Sequence, residues 1–122
     1  MKKKHSVCDY TSSRNENLRR EFLARLGRNG KSVTEVIESL TGIGAPRFYI
    51  SEERALSILK NERAPLLGTR RLMMAEIKRR VRTLRIANPS MSMKDAVFQV
   101  VNSPAPNFYL TFSSIKTILY RS

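Results

Sequence analysis

A segment of this chain occurs twice, and that repetition limits the folds open to it more than any other feature. Ala45-Pro46-Arg47-Phe48-Tyr49-Ile50-Ser51 returns as Ala105-Pro106-Asn107-Phe108-Tyr109-Leu110-Thr111, 60 residues later. Held at that offset without gaps, residues 15–60 align with 75–120, with 11 identities in 46 positions. Glu16 meets Glu76, Arg19-Arg20 meets Arg79-Arg80, Arg25 meets Arg85, Ser32 meets Ser92, and Ile58-Leu59 meets Ile118-Leu119. One register kept through several separated segments points to a tandem duplication, in which one supersecondary unit is built twice.

Each repeat reads as three helices. Ser13-Arg14-Asn15-Glu16 has the Ser-x-x-Glu form of a capping box and is expected to start the first helix. Leu18, Phe22 and Leu26 then share a face, and Gly27 and Gly30 end it. Ser32-Val33-Thr34-Glu35 is a second capping box, followed by Val33, Val36, Ile37 and Leu40 at amphipathic spacing. Ser51 is expected to cap a third helix, with Glu52 and Glu53 in its first turn and Ala55, Ile58 and Leu59 facing inward. In the second repeat, Thr69 starts a long helix that Asn88-Pro89 ends near Ala87. Ser92 caps a helix carrying Met93, Ala96, Val97, Val100 and Val101, and Thr111 caps a last one with Ile115, Ile118 and Leu119. The Val-rich run 97–101 also has the composition of a strand; the cap before it and the matching helix in the first repeat favour a helix.

The expected fold is all-α, a duplicated three-helix unit. The expected organisation is a basic flexible tail over 1–12, repeat 1 over 13–64 and repeat 2 over 65–122. A unit of this size buries little surface alone, so the two repeats are expected to share one core. Met73 and Met74 suit irregular gaps in such a core.

The chain carries 23 Lys and Arg against 10 Asp and Glu, a net charge of +13 over 122 residues. Residues 1–64 hold 13 basic and 8 acidic side chains, whereas residues 65–122 hold 10 basic and 2 acidic ones, Glu76 and Asp95. Solubility requires far less charge than this, and self-repulsion opposes a compact state, so a polyanionic partner is expected. One cysteine, Cys8, excludes an internal disulfide, and with His5 it leaves too few soft ligands for a Cys/His zinc site. No apolar run reaches the ~18 residues of a membrane span. Polar residues from Asp9 to Asn17 follow the basic start, unlike a secretory leader. A cytoplasmic protein is expected, with no membrane association.

Chemistry-bearing motifs are absent. The chain has no glycine-rich phosphate loop, no HExxH and no Gly-x-Ser-x-Gly elbow. Glu35 and Asp95 read as capping residues. His5 reads as a tail residue and Cys8 as an ordinary thiol. No enzymatic activity, cofactor or metal is expected.

The segment 69–87 carries the clearest functional signal. It contains Arg70, Arg71, Lys78, Arg79, Arg80, Arg82 and Arg85 with one acid, Glu76. On a helix Arg71, Lys78, Arg82 and Arg85 fall within an arc of about 60°. Met74, Ile77, Val81 and Leu84 form the adjoining apolar stripe. One side therefore packs while its neighbour presents a row of cations, either a solvated basic face or a phosphate-binding one. The Ala-Pro-x-Phe-Tyr segments read as turns anchored by their aromatics. Stacking of Tyr49 or Tyr109 on bases is the alternative.

The last two helices of each repeat, over Ser32–Lys60 and Ser92–Arg121, resemble helix-turn-helix DNA-binding modules in tandem. The connection 41–50 is longer than the usual turn of such modules and contains Pro46. The resemblance implies that residues 51–62 and 111–121 occupy the recognition-helix position. Glu52 and Glu53 suit DNA poorly there, whereas Ser113, Ser114, Lys116, Thr117 and Arg121 come with no acid. The turn Ala45–Ser51 is also similar to one in small uncharacterised basic proteins of bacterial mobile elements and phages, which implies no activity.

The reading that follows is a non-enzymatic nucleic-acid-binding protein, for duplex DNA before RNA. Arg70, Arg71, Lys78, Arg79, Arg82 and Arg85, with Lys2, Lys3 and Lys4 of the tail, would hold phosphates, and the last helix would approach a groove. The alternative is a structural or interaction protein, such as a virion or mobile-element component. Its basic face would dock an acidic partner or packaged nucleic acid. Oligomeric state does not follow, since a tandem repeat imitates a two-fold dimer within one chain.

Overall fold

A computed structural model describes residues 2–27, 30–61 and 66–121, with side chains from Tyr10 onward. Among these residues the chain forms six helices and no β-strand: α1 (Lys2–Arg25), α2 (Val33–Leu40), α3 (Glu52–Lys60), α4 (Gly68–Ala87), α5 (Met93–Val101) and α6 (Phe112–Arg121). The Val-rich run is thus helical. The all-α expectation holds.

The local signals act where the chain outside them is non-helical. Ser32 caps α2: its Oγ accepts from the Glu35 N–H at 3.2 Å, and the Glu35 carboxylate accepts from the Ser32 N–H at 2.9 Å. Ser92 caps α5 through the Asp95 N–H at 3.0 Å, and Ser51 caps α3 through the Arg54 N–H at 3.1 Å. Thr111 does the same for α6, accepting from the Ser114 N–H at 3.1 Å. These bonds satisfy donors that a helix start leaves without partners.

Two expected helix starts require correction. Ser13 lies inside α1, which begins at Lys2, so Ser13 to Glu16 form no capping box. No glycine or proline precedes Gly27, and a cap operates only where the preceding backbone leaves the helix. The helix ends where expected, with Gly27 at φ 85°. The second correction is at α4, which starts at Gly68 rather than Thr69 and has Leu67 as an N-cap with no side-chain bond. Gly68 has φ 61°, a conformation that glycine adopts without steric cost.

By internal contact the chain divides into two compact units, Met1–Ala45 with Pro106–Ser122, and Pro46–Ala105. In the first, α1 packs on α2, and α6 packs on both. In the second, α5 packs on α4 and α3, and α3 also meets α4. Grouping by contact therefore differs from grouping by sequence repeat. One unit holds α1, α2 and α6 and the other α3, α4 and α5, whereas the expected repeats run over 13–64 and 65–122. The divisions fall in the two Ala-Pro turns.

The first unit buries Leu18, Val36, Ile37, Leu40, Phe108 and Ile115. The second buries Phe48, Ala55, Met73, Met74, Ile77, Val81, Val97 and Val101, an aliphatic core with one aromatic at its turn. Two predicted core positions are exposed. Val33, 40% exposed, is the first residue of α2 and has no preceding turn to cover, and Leu26 lies past the end of α1.

Candidate functional site

Residues 78–85 of α4 include Lys78, Arg79, Arg80, Arg82 and Arg85, and the packing of α4 determines which side each occupies. Met73, Met74, Ile77 and Val81 are buried against α5 and α3. Arg71, Lys78, Arg82 and Arg85 lie beside that stripe, and all four are exposed. Lys78, Arg82 and Arg85 line one groove of about 460 Å³. Its apolar part consists of Leu59 from the end of α3, Val81 and Ile86 of α4, Pro89, and Met93 at the start of α5. Arg71 stands seven residues before Lys78 on the same side of the helix, about 10 Å along the axis. Within the groove Arg85 is partly committed, its Nε donating to the Met91 carbonyl at 3.2 Å.

The remaining α4 cations divide by function. Glu76, the sole acid of α4, points to the side opposite the row. It accepts from Arg79 Nη2 at 2.6 Å and from Arg80 Nε at 2.7 Å. Those bonds, Arg79's first and then Arg80's, hold the Glu76 carboxyl below the usual carboxylate range, and Glu76 raises Arg79 in turn. Arg79 is therefore an ion-paired side chain on a different face from Lys78, Arg82 and Arg85. Arg70 is exposed at the start of the helix.

Arg80 belongs to the structure of the second unit. Its guanidinium lies 5.1 Å from the centroid of the Phe48 ring, and its Nη1 donates to the Pro104 carbonyl at 2.7 Å. Arg47 acts alongside it, with Nε bonded to the Phe48 carbonyl at 2.9 Å, Nη2 to the Ile50 carbonyl at 3.1 Å and Nη1 to Asn102 Oδ1 at 3.0 Å. The Phe48 N–H donates to the Val101 carbonyl at 3.0 Å, so the turn before α3 is bonded to the end of α5. The Ala-Pro-x-Phe-Tyr segments serve as anchors through Phe48 and Phe108, both buried, while Tyr49 and Tyr109 are half-exposed.

The other proposed contact residues belong to the first unit. Ser113, Ser114, Lys116, Thr117 and Arg121 of α6 are all exposed. Ser114 is engaged in the helix cap: its N–H and its Oγ both meet Thr111 Oγ1 at 3.1 Å. Lys116 Nζ sits 5.8 Å from the centroid of the Tyr120 ring. Ser113, Ser114 and Thr117 border a hollow of about 390 Å³ with Arg14, Leu110 and Ile118. Of the two expected recognition segments, 111–121 contains α6 and 51–62 contains α3. Glu52 of α3 accepts from Asn102 Nδ2 at 3.0 Å. Residue 62 lies outside the described residues, as do the side chains of Lys2, Lys3, Lys4, His5 and Cys8.

Two features escaped the sequence reading. The first is the structural role of Arg80, which no local pattern distinguishes from Arg79. The second is the apolar part of the groove. One signal of it was available: Ile86 falls on the cationic side of α4, outside the apolar stripe, and it is 73% exposed.

Compared with protein-family models, with curated proteins and with solved structures, the chain has no match. No helix among the described residues is long and apolar enough to cross a membrane.

Proposed function

We propose that this chain is a non-enzymatic nucleic-acid-binding protein that holds the phosphates of duplex DNA with α4. The observation that carries the reading is the exposed row Arg71, Lys78, Arg82 and Arg85, set on the side of α4 away from Glu76. Arg70 adds charge at the start of the same helix; Lys2, Lys3 and Lys4, and Ser113, Lys116, Thr117 and Arg121 of α6, are separate candidates for contact with the nucleic acid. The decisive experiment titrates the chain against duplex DNA, single-stranded DNA and duplex RNA at two salt concentrations. Binding to duplex DNA that weakens steeply with salt supports the reading. Affinity that is indifferent to salt rejects it.

The chain is also proposed to be a tandem duplication of a three-helix, helix-turn-helix-like unit. Support comes from the matching caps at Ser32 and Ser92, the matching turns with buried Ala45 and Ala105, and the equivalent helix composition of the two units. An experimentally determined structure in which residues 15–60 failed to superpose on 75–120 would refute it.

A second reading, a structural or interaction protein with an acidic partner, is favoured by one specific observation. The groove that holds Lys78, Arg82 and Arg85 is also lined by Leu59, Val81, Ile86, Pro89 and Met93, an aliphatic wall that contacts to phosphate oxygens leave unused.

A further inference from the structure

We propose that the groove between α4, the end of α3 and the start of α5 is a docking site for an acidic amphipathic helix of a partner protein. Its cations are those of the nucleic-acid reading, but the argument for this occupant rests on the apolar side chains beside them.

Lys78, Arg82 and Arg85 stand at helix positions i, i+4 and i+7 of α4 and all line the groove. They span seven residues, about 10 Å along α4. A single small headgroup cannot reach all three. A helix laid along α4 with carboxylates at its own i, i+4 and i+7 positions meets each in turn. Ile86, Met93 and Leu59 line the same groove and supply aliphatic surface for the apolar face of such a helix. Methionine adapts to the shape of an inserted side chain.

Other occupants fit less of the groove. No aromatic residue lines it, so it has no platform on which to stack a base. Ile86 is too exposed for the groove to enclose a free acyl chain. A second copy of the chain, at +13, is repelled. An acidic helix with an apolar face uses both the charge and the aliphatic surface. Because it takes Lys78, Arg82 and Arg85, it excludes nucleic acid from them.

The test uses the full chain and a labelled acidic peptide of about four helical turns, with glutamates at helical spacing and leucines on the adjoining face. A companion peptide of equal charge has alanines in place of the leucines. Fluorescence anisotropy should show the leucine peptide binding about tenfold more tightly than its companion. Ile86→Ser should abolish most of that difference and leave affinity for random-sequence duplex DNA within about twofold. Lys78→Gln, Arg82→Gln and Arg85→Gln should weaken peptide and DNA alike, and duplex DNA should displace the peptide. Equal affinity for the two peptides overturns the proposal. So does a leucine preference that survives Ile86→Ser, or an Ile86→Ser variant that loses DNA and peptide equally with its helix content intact. A leucine preference without any binding of DNA keeps the docking site and removes the nucleic-acid reading alone.

Discussion

Arg80 lies over Phe48, its guanidinium carbon 5.1 Å from the ring centroid. The two residues come from different sequence repeats but from the same compact unit. Phe48 anchors the turn that leads into α3, and Arg80 projects from the middle of α4. The same guanidinium reaches the Pro104 carbonyl and Glu76, so one side chain ties α4 to the Phe48 turn and to the chain just after α5. Arg20, its partner in the sequence alignment, makes an exposed ion pair with Glu16 at 3.9 Å and a bond to Asn17 at 3.0 Å. Identical residues at equivalent positions thus differ in structural role.

That difference is measurable by denaturation. Arg80→Ala should lower stability by about 1–3 kcal/mol, through loss of charge-assisted bonds and of the ring contact. Arg80→Lys should recover only part of this, because an ammonium cannot reproduce the planar fork. Arg20→Ala should cost less than about 0.5 kcal/mol, as exposed pairs do. Equal losses for Arg20 and Arg80 would contradict the asymmetry.

The serine caps separate working signals from a formal match. Ser32→Ala and Ser92→Ala should each cost about 1 kcal/mol, since each leaves a helix-start donor without its acceptor. Ser13→Ala should be neutral or stabilising by a few tenths of a kcal/mol, because alanine is the better residue within a helix. Urea midpoints of the three variants give the comparison. A loss from Ser13→Ala as large as the others would restore Ser13 as a helix start.

The cationic row should govern salt dependence. If about six phosphates are neutralised, log K against log salt should have a slope near −5. Lys78→Gln, Arg82→Gln and Arg85→Gln together should make it shallower by about 3 and weaken binding strongly. Changing Arg19, Arg20 and Arg25 should do much less. Glu16 and Glu21 lie among those arginines, and the positions equivalent to Lys78 and Arg82 are Leu18, which is buried, and Phe22, which is half-buried. Equal loss from the two sets, with folding intact, would mean that both repeats bind.

Acid should loosen the Glu76 clamp. The carboxyl is held below its ordinary range when folded, so the unfolded chain takes up its proton first as the pH falls. Its contribution is complete above the unfolded carboxylate value, about pH 4, and is lost as the pH falls through the lowered folded value. Glu76→Gln should therefore reduce stability at neutral pH and flatten the acid limb of the stability–pH curve. A limb as steep as in the parent chain would remove Glu76 from the account.

Much of the helical layout was legible because its signals are short-range. Ser32, Ser51, Ser92 and Thr111 each bond a backbone N–H three residues on, and spacing alone predicts such a bond. Ser13 misled because the same spacing is silent when the helix already runs through it. The cationic row was legible for a similar reason: the phases of Arg71, Lys78, Arg82 and Arg85 follow from helix geometry, and Met74, Ile77 and Val81 next to them identify the packed side. The roles of Arg79 and Arg80 were not legible. Both are arginines beside Glu76, and only the approach of Phe48 and Pro104 to one of them separates an exposed ion pair from a clamp.

By itself, then, the amino-acid sequence determined α2, α3, α5 and α6 with their caps, the repeated turn and the side of α4 that carries charge. Each depends on interactions within a few residues or on the fixed 3.6-residue period. The tertiary structure decided which third helix joins which pair, and that choice placed Phe48 under Arg80 and Leu59 in the groove that Arg82 lines. Repeat-related helices present similar apolar faces, so pattern alone fits α3 to either pair. The choice depends on contacts between residues some 50 apart, such as Asn102 with Arg47 and Glu52, which no local spacing encodes.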